Sequence, residues 1–186
     1  SNPRSEEFDL KAWDYSKCEG RVVEDDLSIT LVPMIHCPPI DVRAPLVDVG
    51  FGMPHEIESR KGNLPGSVAV VNGGDEPFSS PLPLPERLRD LAKAGCVAAV
   101  VVEPRAGGHI ETIRATDKRW NEKAGDVLPH PLPTVQTHRE DGVRLQRAEG
   151  KTFSINVESR SFLAPCYNTI GDLPGTSWPG ESLVLG

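Results

Sequence analysis

Two short runs of almost uninterrupted apolar residues, 67–72 (SVAVVN) and 97–103 (VAAVVVE), constrain this chain more than any other feature. A strand with one face in water alternates polar and apolar residues, whereas a strand covered on both faces reads as a continuous apolar run. The first run closes on Gly73-Gly74-Asp75, a turn signal, and a proline-punctuated stretch follows at 81–85. Residues 86–94 then place Leu88, Leu91 and Ala92 on one helical face, with Glu86 at the positive end of the helix dipole and Gly95 set to end it. Strand, helix and strand within about 37 residues is a βαβ unit, with its two strands parallel and a right-handed crossover.

Other segments carry weaker patterns. Residues 1–17 are polar, and Phe8, Leu10 and Trp13 can share one helical face. Residues 22–32 read as one or two strands, 36–43 as an irregular Pro-rich stretch, 45–52 as a strand and 53–66 as a polar loop. The connection 104–132 lacks periodicity, which in a compact domain marks a lid, a binding loop or disorder. A short strand at 132–136, a helix at 140–149 closed by Gly150, and an alternating strand at 151–157 follow, with two further strands at 167–170 and 182–185. Eighteen Pro and 17 Gly among 186 residues fit short strands joined by turns, and an aromatic content of 5% leaves the core to aliphatic side chains.

Several function classes are disfavoured. The net charge is 20 − 27 = −7, and the densest basic stretch, 114–119, holds three basic residues and an Asp, too little for a phosphate-binding surface. The longest apolar run, 96–102, falls far short of the roughly 18 residues of a membrane span. Cysteines 18, 37, 96 and 166 lack metal-knuckle spacing; Cys96 reads as a small buried hydrophobe, and a Cys18–Cys37 bridge would require an oxidising compartment. His55-Glu56-Ile57-Glu58-Ser59 begins like a zinc-protease helix but lacks the second His. Gly50-Phe51-Gly52 opens like a dinucleotide fingerprint, yet His55 stands where the third Gly belongs. Gly175-Thr176-Ser177-Trp178-Pro179 ends in Pro where a nucleophile elbow needs Gly. The five His are scattered, and the acidic run Glu24-Asp25-Asp26 reads as turn charges.

The order of pieces is more telling than any one of them. Pro65-Gly66-Ser67-Val68-Ala69-Val70-Val71 is followed by Leu91-Ala92-Lys93-Ala94-Gly95-Cys96-Val97-Ala98-Ala99-Val100-Val101-Val102. Leu132-Pro133-Thr134-Val135, then Glu140-Asp141-Gly142-Val143-Arg144-Leu145, then Thr152-Phe153-Ser154-Ile155-Asn156-Val157 complete the series. Together they resemble the protease-associated (PA) domain. The tail, Tyr167-Asn168-Thr169-Ile170-Gly171-Asp172-Leu173-Pro174-Gly175 and Pro179-Gly180-Glu181-Ser182-Leu183-Val184-Leu185-Gly186, is similar to the opening of the M28 two-zinc aminopeptidase domain, just ahead of its first zinc-binding His.

The resemblance implies a β-rich α/β fold of the swivelling β/β/α kind, a sandwich or open barrel flanked by short helices. It divides the chain into an N-terminal flanking segment (1–45), a PA domain (46–160), and a linker with the first strands of a peptidase domain (161–186). No catalytic residue, metal ligand or cofactor of the family falls within these 186 residues; zinc belongs to the parent's peptidase domain. The implied partners are that domain in cis and a peptide or protein substrate, in a secreted or periplasmic setting, with nucleic acid and membrane spans excluded. Arg114, Arg119 and Trp120 are the candidate substrate contacts, since Arg pairs with carboxylates and Trp supplies contact area; Trp120 packing its own loop is the competing reading. Two other functions compete: an interaction module of a subtilisin-like protease or sorting receptor, and a hydrolase with an unfamiliar site.

Overall fold

The computed structural model describes residues 3–111 and 132–172. Arg114, Arg119 and Trp120, and the strand expected at 182–185, lie outside them. The chain divides into two compact units, one of residues 13–161 and the other of 1–12 with 162–186.

Eight strands and three helices are present among the described residues: β1 (Arg4–Val22), β2 (Leu27–Ile29), β3 (Val32–Pro33), β4 (Ile40–Asp48), α1 (Pro54–Arg60), β5 (Val68–Asn72), α2 (Leu84–Lys93), β6 (Ala98–Val102), β7 (Thr134–Thr137), α3 (Arg139–Arg147) and β8 (Thr152–Ile170). The strand order is β2-β1-β8-β4-β5-β6-β7-β3. β4, β5, β6 and β7 run parallel, with Val70 opposite Val100 and Val100 opposite Val135. β4 also pairs antiparallel with β8 over Ile40–Pro45, so its two halves serve different neighbours.

The parallel strands explain the apolar runs. Val68, Val70, Ala98, Val100 and Val102 face one side, where they meet Leu145 and Ala148 around α3 and Phe153, Ile155 and Val157 of β8. Ala69, Val71, Ala99 and Val101 face the other, against Leu88 and Leu91 of α2 and Ile57 of α1. Burying each Val, Leu, Ile or Phe side chain here stabilises the fold by about 1.5–3 kcal/mol, and each Ala by less, before conformational entropy is charged.

Four local expectations need correction. Phe8, Leu10 and Trp13 do not share a helix; all three lie on β1, and the indole N–H of Trp13 donates to the Cys37 carbonyl at 2.8 Å. Residues 53–66 are not all loop, because α1 occupies the first half. It escapes hydropathy because it has no buried residue, but Pro54 at its start and Glu56 in its first turn mark it. Residues 167–170 are the end of β8 rather than a separate strand, and β4 begins inside the stretch expected to be irregular.

Candidate functional site

The carboxyl ends of parallel strands gather loops on one edge of a sheet, the usual place for a site in such a fold. Here the loops after β4 and β5 are laced by one cation. Arg87, on α2, is only 2% exposed. Its Nη1 donates to the carbonyls of Phe51 (2.6 Å), Asn72 (3.0 Å) and Gly74 (3.1 Å). Desolvation pulls the guanidinium below its usual range, while the charges of Asp75 and Glu56 oppose that shift.

Gly50 and Gly52 both adopt positive φ, 58° and 71°, which turns the amides of the β4–α1 loop inward. They do not form an open anion cradle. The Glu56 carboxylate already accepts from the backbone N–H of Phe51 at 3.0 Å and of Met53 at 2.9 Å. A side chain at position 50 would place its Cβ 2.0 Å from Glu56 Oε1. The glycine pair that mimics a dinucleotide fingerprint therefore serves a resident carboxylate, and a phosphate would have to displace it.

The stem leading into the 104–132 connection is fastened on this edge as well. Buried Glu103 accepts from Arg105 Nε at 2.6 Å, and Arg105 also pairs with Glu111 at 2.9 Å. Glu140, in the first turn of α3, accepts the Gly107 N–H at 2.9 Å; that backbone hydrogen bond is the largest cause holding its carboxyl down at about 2. Next to it Asp141, 3% exposed, accepts the Thr30 N–H at 2.8 Å and pairs with Arg144 at 2.9 Å. The loop expected to reach a substrate thus leaves the sheet from a well-held base.

Sequence reasoning passed over two further features. A groove of about 720 Å³ is lined by Asp14, Tyr15, Asp41, Asn156, Glu158 and Arg160 among others. No motif announces it, because its walls are ordinary strand residues. His55 Nε2 lies 3.3 Å from Glu76 Oε1, and the donor atoms of His55, Glu56 and Glu76 all fall within 4.8 Å of one another. The residue pair His55-Glu56 is visible in the sequence, but Glu76 reaches it from 20 positions away, across β5.

All four cysteines are free thiols. Burial pushes Cys18 up to about 12 and Cys37 up to about 11, so neither is poised as a nucleophile. The donor set of His55, Glu56 and Glu76 does not fit a two-zinc peptidase centre. One imidazole and two carboxylates suffice for a single ion, and each ion of a catalytic pair needs about three protein ligands, some of them shared.

No family model matches the sequence, and no curated protein matches it. Solved structures do. An aminopeptidase from Aneurinibacillus sp. strain AM-1 superposes with a TM-score of 0.66 at 16% identity, over 90% of this chain and 37% of that one. BSAP, a zinc aminopeptidase from Bacillus subtilis, gives 0.59 at 15% identity, over 86% and 35%. The psychrophilic subtilisin-like protease Apa1 from the Antarctic psychrotroph Pseudoalteromonas sp. AS-11 gives 0.51 at 13% identity, over 82% and 35%. The chain has the β-rich α/β fold of these segments and spans little more than a third of each structure.

Proposed function

We propose that this chain is the non-catalytic PA domain of a zinc-dependent M28 aminopeptidase, secreted or periplasmic, that limits or guides the approach of peptide substrates to a peptidase domain in cis. The observation that carries this reading is the superposition of nine-tenths of the chain on about a third of an aminopeptidase. The fastened stem at Glu103, Arg105 and Gly107 supports it, because a loop that selects substrates gains from a rigid base. On this reading Arg114, Arg119 and Trp120 meet the substrate, zinc resides in the peptidase domain, and this chain supplies shape and charge rather than a nucleophile.

The purified chain should show no hydrolysis of leucine p-nitroanilide with zinc added; reproducible turnover that copurifies with it overturns the reading. In an enzyme carrying this chain, R114A/R119A/W120A should raise KM for long peptides and leave the small anilide unchanged. The likeness to a subtilisin-like protease favours a second reading, an accessory module of that enzyme class. Joining the chain to each kind of catalytic domain and measuring which one's peptide selectivity it alters separates the two.

A further inference from the structure

We propose that His55, Glu56 and Glu76 bind one zinc(II) ion at the edge where β4 and β5 end. The three donors come from two segments brought together by the fold, the start of α1 and the loop after β5. Ligand bonds of about 2.0–2.2 Å set donors on a tetrahedral ion roughly 3.4 Å apart. His55 Nε2 and Glu76 Oε1 already stand 3.3 Å apart. The largest separation in the set, 4.8 Å at most, closes by rotation of side chains that reach solvent, His55 above all at 67% exposure.

One ligand is positioned in advance. Glu56 is held through Oε2 by the Phe51 and Met53 amides, while Oε1 lies over the bare Cα of Gly50. Backbone donors that orient a carboxylate in this way are the outer support a metal ligand needs. Glu76 is steadied in turn, its carbonyl accepting from Ser79 Oγ at 3.0 Å. The sign of the charge agrees, because the carboxylates of Asp48, Glu56, Asp75 and Glu76 outnumber Arg87 at this edge. One imidazole with two carboxylates suits zinc, with water in the fourth position; calcium would want six or more oxygens. The ion would clip α1 to the β5–α2 loop, tying together the two loops whose carbonyls Arg87 holds.

Calorimetric titration of the 186-residue chain with zinc chloride tests this. The expected result is one saturable site, with cobalt(II) giving visible d–d bands and no thiolate charge-transfer band, since the ligands are nitrogen and oxygen. H55A and E76Q each weaken zinc binding at least tenfold and leave the fold intact by circular dichroism, His55 being exposed and E76Q keeping the shape of a half-buried side chain. H109A, at an exposed His elsewhere, binds as the parent chain does. Absence of saturable binding, full affinity in either H55A or E76Q, or a thiolate band overturns the assignment and leaves His55 and Glu76 as a surface ion pair.

Discussion

At the scale of single residues, carboxylates placed on backbone amides do much of the organising. Glu56 holds the turn after β4, Glu24 accepts the Thr152 N–H at the start of β8, and Glu140 holds Gly107. Glu140 gives the sharpest pH expectation. An ordinary carboxyl of this kind ionises near 4.5, while the Gly107 N–H keeps the folded one charged down to about 2. A depressed value contributes stability that is complete above the unfolded ionisation and is lost as pH falls through the folded one. The tether should therefore persist through mild acid and release near pH 2. The Gly107 amide resonance should titrate with a midpoint near 2, and E140A should abolish that midpoint. A midpoint near 4.5 would mean that the carboxylate is not held this way. None of this was readable in the sequence, because a solvated Glu and a capping Glu differ only in what the fold brings within 3 Å.

At the scale of elements, the motif Asp141-Gly142-Val143-Arg144-Leu145 acquires a physical reason. Asp141 ties α3 to the Thr30 backbone, Leu145 fills the core, and Gly142 lies flat against β6. A Cβ at position 142 would stand 2.2 Å from Val102 Cγ1 and 2.8 Å from its Cγ2. Overpacking of this kind costs about 1–3 kcal/mol. G142A should lower the unfolding free energy by that amount, read as a lower denaturant midpoint with the m-value unchanged, although alanine is the better helix former. The elements that were legible, β5, α2, β6, β7, α3 and parts of β4 and β8, are those whose burial marks the sequence, as an unbroken apolar run in β5 and β6 and as an apolar period in α2 and the start of β8. β1 was not, since Phe8 and Leu10 remain 41% and 44% exposed and no buried face marks its first half. The α1 helix was missed for the same reason, since it buries no residue fully and offers only Ile57 to the core.

At the scale of the whole molecule, fold was legible where individual chemistry was not. Burial on both faces of the central strands constrains residue type more than residue identity, so a solved structure shares this fold at 16% identity where no family model matches the sequence. The candidate site divides along the same line. The substrate contacts named from sequence lie outside the described residues, whereas the His55, Glu56 and Glu76 set required coordinates to assemble Glu76 with the other two.

The shared use of β4 carries a thermodynamic corollary. Its first half hydrogen-bonds to β8 and its second to β5, and its side chains enter both apolar clusters: Ile40, Ala44 and Leu46 in one, and Val47, joined by Val49 just past the strand's end, in the other. Two cores stitched by one ribbon cannot melt in turn, because freeing either strips the ribbon from its remaining neighbour. Scanning calorimetry of the 13–161 body should give a single endotherm whose calorimetric and van't Hoff enthalpies agree, and two resolved peaks would mean that the seam yields before the fabric does.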